Sequence, residues 1–208
     1  YTGFTGTAFY PATGTIKIPV TFQGLADLSN TAYAADHPVG VSYRLFQGQV
    51  LALPDSSEGQ FSLDWVSAGT LGVENLNGTN RLVATIPNVP LRGAVTIMLK
   101  PRLASYWNDS DKARYLTKVI LVQATAGTVV ASETTFLTGD IDRDNEITVF
   151  DYGIMSDYFD KTNEDTDWNL IGANGHAPRE CDLDEDGTVS VFDYGLLSDN
   201  FDDKGEVY

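Results

Sequence analysis

Apolar and polar side chains alternate along the first two thirds of the chain in short runs with a period of two. Such runs, several rich in β-branched residues, cover 4–10, 14–22, 40–46, 49–53, 59–66, 80–86, 94–100, 114–124 and 128–136. A period of two puts successive side chains on opposite faces of an extended strand, so that one face can be buried. Between the runs lie Pro-Ala-Thr-Gly at 11–14, Asp-Ser-Ser-Glu-Gly at 55–59, Asn-Leu-Asn-Gly-Thr-Asn at 75–80 and Ala-Gly at 126–127, all turn-forming combinations. No helical period intervenes. The pattern predicts a β-sandwich of the immunoglobulin-like or prealbumin-like kind over residues 1–138, with a long surface loop at 24–38.

After Gly139 the pattern changes and repeats. Residues 140–160 read DIDRDNEITVFDYGIMSDYFD and residues 182–202 read DLDEDGTVSVFDYGLLSDNFD, an offset of 42 with 12 of 21 positions identical. This is an internal duplication. In each copy the second half, VFDYGIMSDYF or VFDYGLLSDNF, carries apolar residues at helical spacing and predicts a short helix with one buried face. Phe150, Tyr152, Phe159 and their counterparts are expected to form the shared core, and Gly153 and Gly195 to mark close packing between the copies.

The first half of each copy carries the chemistry. Counted from its first aspartate, carboxylates fall at positions 1, 3, 5 and 12: Asp140, Asp142, Asp144 and Asp151, then Asp182, Asp184, Asp186 and Asp193. That is the spacing of a twelve-residue calcium loop, in which position 7 offers a backbone carbonyl, position 9 often a water, and position 12 a carboxylate. Position 7 is Glu146 or Thr188, and position 9 is Thr148 or Ser190. Position 6 must turn sharply; it is Gly187 in the second copy and Asn145, the next most tolerant of left-handed backbone, in the first. The β-branched Ile147 and Val189 at position 8 suit a short strand pairing one loop with the other. An acidic loop that binds nothing is the competing reading of one such motif. Two complete copies argue against it and predict two Ca²⁺; Mg²⁺, which keeps octahedral and partly hydrated sites, fits less well.

Charge sharpens the picture. The net charge is −16, yet residues 1–139 hold nine acids against nine basic residues, while 140–208 hold twenty acids against four, Arg143, Lys161, Arg179 and Lys204. The whole excess lies in the duplicated part, where two Ca²⁺ would offset four of the sixteen charges. A nucleic-acid partner is excluded by that field. No apolar run approaches the roughly 18 residues needed to span a bilayer, and no signal-type apolar region opens the chain. The start at Tyr1 is read as a processed end. With Cys181 as the one cysteine there is no internal disulfide, and a segment of about 70 residues that small relies on metal for stability.

The duplicated loop-then-helix unit, with no helix entering each calcium loop and with Asp in place of Glu at position 12, resembles a dockerin module over residues 139–208. The resemblance implies a small α domain with two EF-hand-type calcium loops and an extracellular or cell-surface location. It also implies docking to a β-sandwich partner, cohesin in that family. At loop positions 10 and 11, where the cellulosomal members carry a small polar pair, this chain has Val149 and Phe150, and Val191 and Phe192. These four are the candidate partner-binding residues, the partner being a cohesin-like β-sandwich or another copy of the chain. The linker at 161–181 is longer than usual, and the helices carry Asp157 and Asp199 where basic residues would be expected.

The remaining residues are less informative. Cys181 and Trp168 are expected in the core, and His37 and His176 in solvated loops. Catalysis is not expected, since no G-x-S-x-G or other local signature is present. The short step from Phe136 to Gly139 predicts two rigidly held domains, and the β-rich 1–10 segment could add a strand to a neighbour's sheet. The sequence thus predicts a secreted, non-enzymatic calcium-binding protein that docks or polymerises into an extracellular fibre or assembly. The alternative is a carbohydrate-binding accessory module, with Trp107 as its stacking platform, borne by a dockerin to a cohesin scaffold.

Overall fold

The structure is a computed structural model that describes residues 13–26, 28, 39–47, 66–67, 71–90, 93–103 and 114–206. The predicted runs at 4–10 and 49–53, most of 59–66, most of the 24–38 loop, and His37, Trp65 and Trp107 lie outside these residues.

Two sheets face each other. One contains β1 (Thr13–Phe22), β4 (Gly72–Leu76), β5 (Thr79–Pro90), β8 (Thr128–Val130) and β9 (Thr134–Phe136), in the order β4-β5-β1-β8 with β9 also on β1. The other contains β2 (Val39–Gln47), β3 (Val66–Ser67), β6 (Gly93–Leu103) and β7 (Lys118–Ala124), in the order β3-β2-β6-β7. The alternation works as the pattern requires: Ile16, Ile18, Val20 and Phe22 of β1 and Ala84 and Ile86 of β5 meet Val41, Ile97, Leu99 and Val122 of the second sheet in one core. Each such side chain stabilises the fold by about 1.5–3 kcal/mol when fully buried. The β4–β5 hairpin closes on Asn77 and Gly78, both at positive φ (52° and 86°), as an Asn-Gly turn should. The sequence pattern had shown the turn but not β4 itself, whose residues are half-buried.

The run 128–136 is two strands rather than one. Both lie parallel to β1, β8 beside Thr15–Lys17 and β9 beside Val20–Phe22. The Thr15 and Gln23 N–H groups and the Lys17 carbonyl all point to this edge, so the residue midway, Pro19, also faces it and has no N–H to give. The ladder breaks there. The run 114–124 also shortens, because residues 114–117 leave β7 to pack elsewhere: Leu116 belongs to a second core with Ile141, Ile147, Met155, Trp168, Cys181, Leu183, Val189 and Leu197.

That second core holds α1 (Val149–Asp157) and α2 (Val191–Asp199) together. Its composition corrects the sequence reading. Phe150 and Phe192 are 69% and 70% exposed, and Phe159 and Phe201 are exposed as well. The reason is rotational. Asp151, Met155 and Tyr158 share the buried face of α1, as Asp193, Leu197 and Asn200 share that of α2; with the loop carboxylate turned inward, the preceding Phe must turn out. Tyr152 is only partly buried, edge-on to Tyr194 and Phe201. Gly153 and Gly195 face open space, so they are not close-packing sites. Cys181 and Trp168 are buried, and burial raises the Cys181 thiol pKa, as expected of a packing residue. His176 is not simply solvated: its Nδ1 lies 2.9 Å from Glu180 Oε2.

The two parts are joined by more than the chain. Asn200 donates to Gln23 Oε1 (2.5 Å) and to the Thr138 carbonyl (2.7 Å), while Thr138 N–H donates to Gln23 Oε1 (3.2 Å). Gly24, at φ 86°, comes so close to the duplicated part that a Cβ would lie 2.5 Å from the Leu183 carbonyl oxygen. The rigid connection predicted from the short 136–139 step therefore has side-chain and backbone contacts behind it.

Candidate functional site

Each repeat begins with a loop folded around its own carboxylates. In the first, Asp140 Oδ2 accepts from Asn145 N–H (3.1 Å), Asp142 Oδ1 from Asp144 N–H (3.2 Å), and Asp144 Oδ1 from Glu146 N–H (2.9 Å). The second reproduces this with Asp182 and Gly187 (3.0 Å), Asp184 and Asp186 (3.2 Å), and Asp186 and Thr188 (2.8 Å). Position 6 turns through positive φ in both, 71° at Asn145 and 91° at Gly187.

Position 12 closes each loop onto its helix. Asp151 accepts from Ile141 N–H (2.7 Å), Asp142 N–H (3.1 Å) and Thr148 N–H (2.7 Å), and Thr148 caps α1 by accepting from Phe150 N–H (3.2 Å). Asp193 and Ser190 form the same capping box at α2. Thr148 and Ser190 are thus occupied as caps. The loops do not pair with each other through position 8, as the sequence suggested. Ile147 exchanges backbone bonds with Asp202 and Asp203, and Val189 with Asp160 and Lys161, so each loop is clamped by the segment leaving the other repeat's helix. The crossing is reciprocal, the same bond pattern occurring in both copies.

Carboxylate oxygens of Asp140, Asp142 and Asp144 lie within 4.8 Å of one another, as do those of Asp182, Asp184 and Asp193. Asp151 and Asp186 stand outside these two groups, next to them. The Glu146 side chain turns away to Lys204 Nζ (2.6 Å), which leaves its backbone for any ligand role. Buried Asp140 Oδ1 has no hydrogen-bond partner. Burial, then the neighbouring Asp151, Asp144 and Asp142 carboxylates, push the Asp140 pKa up to about 8. Burial is also the main cause at Asp182, pushed up to about 7. Asp142 and Asp184 are raised too, by burial first and then by the position 12 carboxylate. An unpaired buried oxygen among hard carboxylate donors is what a divalent cation would satisfy.

Sequence reasoning missed the contacts at the loop tips. Asn145 Oδ1 accepts from Thr117 N–H (3.0 Å) and Thr117 Oγ1 (3.1 Å), and Glu185 pairs with buried Arg114 (3.1 Å). Arg143, at the matching position of the first loop, pairs with Glu180 (2.5 Å). The signal was present as broken symmetry: Asn against Gly at position 6 and Arg against Glu at position 4.

The first turn of each helix exposes apolar side chains. Val149, Phe150, Val191 and Phe192 are each about two-thirds exposed, at 64% to 70%. On the sandwich, a cleft of about 720 Å³ opens between the end of β1 and the β4–β5 hairpin. Its polar rim is largely paired internally, Asn75 with Asn80 (3.1 Å) and Arg81 with Glu133 (2.7 Å).

No family model and no curated protein matches this chain. Among solved structures, an N-terminal interface mutant of a type II cohesin–X-dockerin complex from Acetivibrio cellulolyticus contains a chain similar over 92% of this one and 97% of its own. The TM-score is 0.57 and the identity 17%. A C-terminal interface mutant of that type of complex, from the same organism, matches over the same shares with TM-score 0.50 and 15% identity. At these identities the likeness is one of fold. No helix among the described residues is long and apolar enough to cross a membrane.

Proposed function

We propose that this chain is an extracellular, non-enzymatic docking protein in which a β-sandwich, residues 1–138, carries a dockerin-like module, residues 139–208, that binds two Ca²⁺. The observation that carries the reading is the pair of carboxylate groups, Asp140, Asp142 and Asp144, and Asp182, Asp184 and Asp193, with an unpaired buried oxygen in the first. Asp151, Asp186 and the backbone carbonyls of Glu146 and Thr188 complete the two ligand sets. Calcium supplies the positive charge that lets these carboxylates stay ionised together; millimolar extracellular calcium suits sites whose Kd is on the order of 10⁻⁴ to 10⁻³ M.

The loops and the docking face are one device. Positions 10 and 11 follow the capping residue directly, so a loop fixed around its ion fixes the first turn of its helix and presents Val149 and Phe150, or Val191 and Phe192, outward. Large apolar side chains left this exposed on helices of one small module favour a protein partner. The likeness to chains of cohesin–X-dockerin complexes favours a β-sandwich as that partner.

Calorimetry on chelator-stripped protein is expected to show two calcium ions per chain. A type II cohesin, the kind named in those complexes, is then expected to bind the calcium-loaded chain and release it in EGTA. No heat of calcium binding overturns the metal reading. Calcium binding with no cohesin complex and no self-association by sedimentation overturns the docking role.

A further inference from the structure

The duplicated loops should be equivalent, and they differ where they touch the sandwich. In the first loop, position 6 is Asn145, whose side chain takes two bonds from Thr117 at the entrance to β7. Its carbonyl also accepts from Gly205 N–H (2.8 Å), and Glu206 N–H continues to the Thr117 carbonyl (3.0 Å). A Cβ on Gly205 would lie 2.0 Å from Asn145 Oδ1, so the backbone at Gly205 is fitted around this side chain. In the second loop, position 4 is Glu185, bound by Arg114, which also reaches the Arg179 carbonyl (3.4 Å). Leu116, between the two tethers, is buried in the core that holds the loops.

We propose that residues 114–117 of the sandwich form the outer wall of both cation loops, with Thr117 and Arg114 as positioning residues, so that calcium binding and the docking of the sandwich onto the module are thermodynamically coupled. This rests on the calcium reading above. The tip bonds need the loop wrapped, and the loop wraps when its carboxylates are neutralised. An ion that orders the tip therefore makes the Thr117 contact, and the contact in turn favours the ion by the same factor. Position 6 of the first loop is Asn because Gly would turn the chain equally well but leave Thr117 N–H without its acceptor.

The test uses the full chain. Calcium calorimetry compares the natural sequence with Asn145→Gly, which keeps a residue suited to φ 71° and copies Gly187, and with Thr117→Val, which leaves the loop untouched. Amide hydrogen exchange is followed with and without EGTA at Thr117 and at Val119, whose N–H donates to Glu206 Oε2 (2.7 Å); neither residue offers an ion ligand. The natural chain is expected to take two ions. Asn145→Gly is expected to weaken one of them by about five- to thirtyfold, since two hydrogen bonds are lost, and Thr117→Val to weaken the same one by about two- to tenfold. EGTA is expected to speed exchange at both amides in the natural chain by tenfold or more. Two ions bound at unchanged affinity in both variants, with exchange indifferent to chelator, overturn the coupling while leaving calcium binding intact. No ion bound by the natural chain overturns the calcium reading itself, and the coupling with it.

Discussion

On the proposed calcium reading, protons and calcium compete for the same oxygens, and the burial of those oxygens sets how pH moves the balance. Without a cation, burial and three neighbouring carboxylates hold the Asp140 pKa near 8, and burial holds Asp182 near 7; an unfolded Asp titrates near 3.9. Because the folded values are the higher ones, the metal-free fold is favoured below about pH 4 and loses that contribution as pH rises through about 7 to 8. Calcium at the proposed sites would require the ionised form, so its affinity would run the opposite way. Each pH unit below a ligand's pKa weakens binding about tenfold through that ligand. At pH 6 the first loop should therefore bind about a hundredfold more weakly than its limit, and the second about tenfold. The second should level off near pH 7 and the first near pH 8. Calorimetry between pH 5.5 and 8.5, in buffers of different ionisation enthalpy, reads both affinity and proton release; about one proton should leave per ion at pH 6. Affinities flat across that range, with no dependence of the heat on buffer, would refute the reasoning that the loop carboxylates are crowded and buried.

Other perturbations separate the core from the docking face. Gly153→Ala and Gly195→Ala each place a methyl in open space on a helix and should stabilise the calcium-loaded chain by about 0.5–1 kcal/mol in chemical denaturation. Met155→Ala, in the fully buried position between the helices, should destabilise it by about 2–5 kcal/mol. Phe150→Ala with Phe192→Ala should leave the unfolding midpoint nearly unchanged and abolish the proposed cohesin binding, measured by surface plasmon resonance; a large loss of stability would show that these rings are core after all.

Much of this could be read from residue order, and the failures share a cause. The period of two located β1, β2, β5 and β6 because alternate side chains of each enter the shared core, although β2 and β6 are buried on both faces over 39–43 and 95–99, and the 42-residue offset exposed the loops because their carboxylates must recur at fixed positions. Local pattern could not see Pro19 from the run 128–136 that it interrupts, because the two meet only through long-range pairing. It misjudged Phe150 for a similar reason. Helical spacing gives an apolar stripe its width but not its rotation, and rotation here is set by Asp151, a polar residue that hydrogen bonds draw inward. The pairing of Ile147 with Asp202 and Asp203, across 55 and 56 positions, has no sequence signature at all.

That crossing bears on why the module is duplicated. Each loop takes its strand bonds from the exit of the other repeat, and the core is filled from both copies, Ile141, Ile147 and Met155 from one and Leu183, Val189 and Leu197 from the other. A single repeat would leave the position 8 N–H and carbonyl unpaired and half of the core exposed, so neither loop is preformed without its twin. The proposed calcium sites would therefore be coupled through the fold as well as through the sandwich. The symmetric clamp makes the copies dependent on each other, and the asymmetric tethers at Asn145 and Glu185 fix which copy faces which part of residues 114–117. With the orientation of the module on the sandwich set in this way, the two exposed Val-Phe pairs point in fixed directions relative to the sheets, which is the geometry the proposed docking role needs.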